Sequence, residues 1–104
     1  MQLRMTINAI LDVRVHTRGM TEDEAMRLMH VRGHQEEGEA AGKWRRALLT
    51  STQLSTYYVG WTAVADLVAD LNAANPGWTD RRVHDSVLAH GSPPPRHLRS
   101  LLGI

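Results

Sequence analysis

Residues 2–24, QLRMTINAILDVRVHTRGMTEDE, hold a complete helix, its stop signal and the start of the next helix. Leu3, Met5, Ile7, Ala9, Ile10, Leu11, Val13 and Val15 spread apolar side chains around most of the first helix, the pattern of a buried element. Against that background Arg4, Asn8, Asp12 and His16 recur every four residues and form one polar stripe. Two readings stay open. A buried stripe must find partners or line a cavity, because unpaired buried charge is costly; otherwise the stripe is the solvated face of an amphipathic helix. Gly19 is the natural left-handed residue to end the helix after Thr17. Thr21-Glu22-Asp23-Glu24 then reads as a capping box, with Met20 placed to staple onto Ala25.

Working outward, the second helix carries Ala25, Met26, Leu28 and Met29 and ends near Gly33. A third starts at His34 or Gln35, acidic in its first turn (Glu36, Glu37, Glu39) and basic later (Lys43, Arg45, Arg46), as the helix dipole favours. Its Gly38 and Gly42 either weaken it or admit a close neighbour. After a break at Ser51 and Thr52, helical spacing of Leu54, Tyr57, Tyr58, Trp61, Val64, Leu67, Val68 and Leu71 predicts a long fourth helix, about Thr52 to Asn75. Asn75-Pro76-Gly77 ends it. Thr79-Asp80 caps a fifth helix over Arg81 to Ala89, closed by His90-Gly91. Ser92-Pro93-Pro94-Pro95 is an extended connector before a short helical turn, Arg96 to Leu102. The expectation is one all-α module over residues 1–104, with five main helices and a C-terminal turn. Helices one and four, the longest and most apolar, should pair at the centre. Leu3, Ile7, Ile10 and Leu11 should be more buried than Arg4 and Asn8.

The chain has 104 residues, 42% hydrophobic and 22% charged, ordinary for a small globular unit. A net charge of +1 provides no global field for nucleic acid or an anionic membrane. Without cysteine, neither disulfides nor thiolate metal sites can form, which fits a cytoplasmic protein. Arg4, Asp12 and Arg14 interrupt the N-terminal apolar run, unlike a secretory signal, and no stretch suits a transmembrane span. The helix begins almost at Met1 with no capping lead-in, as a fragment or a late start codon would produce.

Six histidines invite a metal reading. His30 and His34 have i, i+4 spacing, but Gly33 lies between them and no H-E-x-x-H pattern exists, so no zinc site is expected in this chain. A phosphate loop, a nucleophile elbow and a carboxylate pair are likewise missing from the pattern. The cluster Tyr57, Tyr58, Gly60, Trp61 is more suggestive. Gly60 inside a helix costs stability, a cost accepted where something approaches the backbone, and a tyrosine hydroxyl in a cleft can donate to a developing oxyanion. The alternative is that these aromatic side chains are packing residues.

Three ordered segments then resemble one family. Asp12, His16, Gly19, Met20 and Thr21 are similar to the D-x-x-x-H-x-x-G-M-T segment of the bacterial domain-of-unknown-function 885 family (DUF885). Gln53 to Gly60 resembles its Q-x-x-S-Y-x-x-G segment, with Thr56 in place of Ser, and His84 to Gly91 followed by Pro93 and Pro94 resembles its F-H-D-x-x-L-x-H-G-x-x-P ending, with Val83 in place of the aromatic. The resemblance implies long helical proteins like gluzincin-type zinc metallopeptidases, whose zinc helix lies upstream of the region seen here. This chain would then be the C-terminal, cleft-lining segment of a hydrolase, inactive by itself, with zinc a cofactor of the full-length protein only. His16 and Tyr57 would contact the substrate or transition state, flanked by Arg18 and Tyr58; Asp12, Gly19, Gln53, Gly60, His84, His90 and Gly91 would be structural. Partners would be the missing N-terminal portion, a second copy, or a peptide substrate held by the full-length protein, with neither nucleic acid nor membrane. The rival from another class is a free-standing helical protein–protein interaction module.

Overall fold

The structure, a computed structural model, describes residues 1–104 throughout and is all-helical. In order along the chain are α1 (Gln2–Thr17), α2 (Glu22–Met26) continued by a π-helical stretch (Arg27–Arg32), α3 (Glu37–Leu49), α4 (Thr56–Ala74), α5 (Asp80–Leu88) and α6 (Pro95–Leu102). The backbone forms two compact units, Met1–Val59 and Gly60–Ile104, with α4 beginning in the first and running into the second.

Local signals set most of the boundaries. Gly19 at φ +59 ends α1, and the N–H groups of Arg18 and Met20 both turn back to the carbonyl of Arg14. The Thr21–Glu24 capping box forms in both directions, and Met20 packs on the cluster that contains Ala25. Thr79 caps α5 by accepting from Arg82 N, Gly91 at φ +73 follows its end, and the prolines precede α6 with Pro95 as its first residue.

The first unit is built on Ile7 and Leu11 of α1, Ala25 of α2, Leu28 and Met29 of the π stretch, Ala40 and Ala47 of α3, and Leu54 of the turn before α4. Half-buried Ile10, Val15, Met26 and Trp44 close over this cluster. No residue of α4 belongs to it, so the expected central pairing of α1 with α4 is replaced by packing of α1 on α3. In the second unit the buried residues are Leu67 and Leu71 of α4, Val83 of α5 and Leu98 of α6. There α5 packs on α6, an Arg99–Asp70 ion pair at 2.6 Å ties α6 to α4, and the Arg82 guanidinium lies 4.3 Å from the centre of the Trp78 ring.

Close approach falls at a different glycine from those expected. Gly33 ends the π stretch where a Cβ would lie 2.5 Å from Ile7 Cδ1 and 2.7 Å from the Met29 carbonyl oxygen, so a close approach to α1 requires glycine there. Around Gly42 and Gly60 nothing lies within 4 Å of a would-be Cβ, so neither admits a neighbouring helix within this chain. Gly33→Ala should therefore lower the unfolding free energy by about 1–3 kcal/mol. Gly42→Ala, in open space inside α3, should raise it by about 1 kcal/mol. Urea unfolding of the two variants beside the parent checks both signs; a neutral Gly33→Ala would refute the packing assignment.

Candidate functional site

The polar stripe of α1 is neither uniformly buried nor solvated. Arg4 is exposed and pairs with Glu39 of α3 at 2.6 Å, Asn8 is half-buried, Asp12 is 3% exposed, and the His16 side chain is about one-third accessible. The stripe faces α3 and the turn at residues 51–55. Two apolar residues off the stripe are in water: Leu3 is 52% exposed and Val13 54%, against the expectation that Leu3 would be buried.

Asp12 is the centre of this arrangement. Its Oδ1 accepts from the backbone N–H of Thr52 at 3.2 Å, and its Oδ2 accepts from the backbone N–H of Ser55 at 3.2 Å and the Ser55 hydroxyl at 2.8 Å. His16 Nε2 stands 3.6 Å from Oδ1, one helical turn on. Thr52 is held at φ +64, a region that a β-branched residue rarely enters. That turn is why α4 starts at Thr56 rather than at Thr52 as its spacing predicts. Gln53, beside it, accepts from Arg46 Nη2 of α3 at 2.5 Å, which fixes the turn from its other flank.

Of the four residues proposed to contact substrate, Arg18 and Tyr58 line one cavity of about 410 Å³, together with Thr6, Ala9, Ile10, Val13 and Arg14. His16 is committed to Asp12, and Tyr57 extends into solvent at 68% exposure in the first turn of α4. The aromatic ring that joins the cavity is Tyr58, 36% exposed. His84 is exposed in the middle of α5 and His90 is exposed just beyond its C-terminal end. No three His, Asp or Glu side chains converge to hold a metal ion, so the residues present do not fit a zinc site.

A second polar cluster went unread in the sequence. Buried Gln35 accepts from Lys43 Nζ at 3.0 Å through Oε1, and its carbonyl meets His30 Nδ1 at 2.8 Å. Burial pushes the Lys43 ammonium below the ordinary lysine value; Arg4 and Arg46 add to the lowering by repulsion and Glu39 opposes it. Gln35 Nε2 and Asn8 Oδ1 are buried without partners. A lone lysine in an otherwise arginine-rich helix was the available signal, but spacing does not reveal which side chain will be desolvated.

Two outcomes follow. Asp12→Ala leaves the Thr52 and Ser55 N–H groups without their acceptor and should cost about 2–3 kcal/mol. Asp12→Asn should cost nearly as much, since its amide nitrogen would face donors. A loss under about 0.5 kcal/mol in urea unfolding would remove Asp12 from its organising place. For Lys43, the native state binds the proton more weakly than the unfolded chain. Its contribution is therefore least favourable while the amine is charged and improves as pH rises through the native pKa towards the ordinary value. The parent should gain stability relative to Lys43→Met as pH rises towards the ordinary lysine value of 10.5; a difference that stays constant with pH would refute the coupling.

Comparison with known proteins fits the motif segments. No curated protein sequence matches the chain. A solved structure from Shewanella oneidensis, described as a candidate lipoprotein of unknown function, is similar at 36% sequence identity with a TM-score of 0.92. The match covers 98% of this chain and 19% of that one, so the present residues span a small part of the longer protein. The family described as bacterial protein of unknown function (DUF885) matches residues 1–102. With segments around Asp12–Thr21, Gln53–Gly60 and His84–Gly91 in place along this helical frame, the chain belongs to the DUF885 family.

Proposed function

We propose that this chain forms the C-terminal, cleft-lining part of a larger metallopeptidase-like hydrolase and has no peptidase activity by itself. The observation that carries the reading is the cavity of about 410 Å³ in which Arg18, from the first family segment, meets Tyr58, from the second. Two arginines, Arg14 and Arg18, and a tyrosine beside apolar Ala9, Ile10 and Val13 suit a peptide backbone, the arginines by charge-assisted donation and the tyrosine by a hydroxyl hydrogen bond. Exposed Tyr57, one residue earlier on α4, is free to reach a substrate carbonyl presented from outside these residues. The metal and its ligands belong, in this reading, to the part of the protein beyond residues 1–104, and the longer Shewanella chain supports that division. Gly60, with open space over it, would receive that portion rather than a helix of this chain.

The rival reading, a free-standing helical interaction module, draws on the same exposed α1 side chains, Leu3 and Val13. It predicts a stable chain that binds a separate protein and no loss of turnover from tyrosine variants. We place the protein in the cytoplasm, although no helix here decides the matter and the neighbour's lipoprotein description points elsewhere; cell fractionation separates the two.

In the complete protein, assayed on a panel of short peptides, Tyr57→Phe should lower kcat by about 10²–10³-fold while the unfolding midpoint stays unchanged. The small stability effect follows from the exposure of the side chain. An unaltered kcat with a destabilised fold would return Tyr57 to a packing role and refute the cleft assignment.

A further inference from the structure

A smaller cavity, about 250 Å³, lies where α1 ends against α2 and the π stretch. Arg14, Arg18, Arg27 and Arg32 line it with Met20, Leu28 and Glu24. Four guanidinium groups thus meet one carboxylate in a chain whose whole net charge is only +1. That carboxylate is already engaged: Glu24 Oε2 accepts from the backbone N–H of Thr21 at 2.8 Å as half of the capping box. The ion pairs of the structure are Arg4–Glu39, His16–Asp12, Arg81–Asp85 and Arg99–Asp70, and none involves these four arginines.

Leaving four like charges around one concavity opposes folding through mutual repulsion, so the arrangement calls for a counter-charge. The fold assembles it from two elements. Arg14 and Arg18 are one helical turn apart at the C-terminal end of α1, and Arg27 and Arg32 come from the widened π stretch. Guanidinium groups present paired, planar donors that match carboxylate and phosphate oxygens two at a time, unlike a lysine ammonium. Met20 and Leu28 supply an apolar floor, which strengthens charge pairing above it.

We propose that Arg14, Arg18, Arg27 and Arg32 form a binding site for a small oxyanion bearing two or more negative charges. The chemistry shared by polycarboxylates and phosphates is what the site recognises, and its volume confines the ligand to a small molecule. Arg14 and Arg18 also border the larger cavity, but the anion site does not rest on the hydrolase reading, and its test reads binding and not turnover.

The test is calorimetric titration of the protein with citrate and, separately, with pyrophosphate at low ionic strength, with thermal unfolding as a second readout. One-to-one saturable binding is expected for at least one of them, with a rise in Tm as its concentration passes Kd. A preference for citrate marks carboxylates as the ligand class, and a preference for pyrophosphate marks phosphates. Arg14→Gln/Arg32→Gln and Arg18→Gln/Arg27→Gln should each weaken binding about tenfold or more, while Arg18→Lys/Arg32→Lys should weaken it less, because charge is kept and the paired donors are lost. Arg45→Gln, an exposed arginine of α3 outside the cavity, should leave the isotherm unchanged. The four arginines are exposed, so the Gln variants should keep the parent's fold and circular dichroism. Absence of saturable binding by both anions, or equal weakening by Arg45→Gln, would overturn the proposal.

Discussion

The contact on which the first unit depends is the buried Asp12 carboxylate. A carboxylate accepts only, and a nearly inaccessible one must be surrounded by donors or the fold bears an uncompensated charge. Here the donors are two backbone N–H groups and a hydroxyl from residues 52–55. Their placement has a cost, since Thr52 sits at φ +64. The hydrogen bonds to charge offset that strain, so one side chain on α1 decides where α4 begins, forty residues later. Tyr57 and Tyr58 follow immediately, and the position of every candidate in the second motif segment is inherited from Asp12.

This anchoring explains why α1 turns its stripe inward. Arg4 reaches α3 through Glu39, Asn8 lies part-buried, and Asp12 holds the 51–55 turn. The same rotation buries Ile7 and Leu11 and turns Val13 out, while Leu3, on the face of Ile7 but one turn nearer the N-terminus, is exposed at the helix end. A helix apolar on most of its circumference can have only part of it covered by two neighbours. The remaining apolar side, with Ile10 and Val13, becomes the wall of the larger cavity. The structural rotation thus generates the candidate cleft.

Charge follows the same geometry. Arg14 and Arg18 lie off the stripe, and no ion pair joins them to Glu36, Glu37 or Glu39, the last of which pairs with Arg4. They border both cavities instead. Lys43 lies near Arg4 and Arg46, where burial and repulsion lower its proton affinity despite the Gln35 hydrogen bond. Near-neutral overall charge therefore conceals two local positive regions of different character, one open and arginine-lined, the other partly desolvated around a single amine.

Much of the architecture was legible from local chemistry. Periodicity, the Thr21 capping box, the left-handed glycines 19 and 91, and the prolines before α6 each act within a few residues, so the sequence by itself determined the helical class and most helix ends. The segments containing Asp12, His16, Gln53, Tyr57 and Gly60 likewise disclosed the family. What only the tertiary structure decided depends on contacts between residues distant along the chain: the capture of the 51–55 turn by Asp12, the requirement for glycine at position 33 beside Ile7, the rotation that exposes Val13, and the choice of Tyr58 rather than Tyr57 for the cavity wall. A period of 3.6 residues states which side chains share a face, and packing alone states which face is covered.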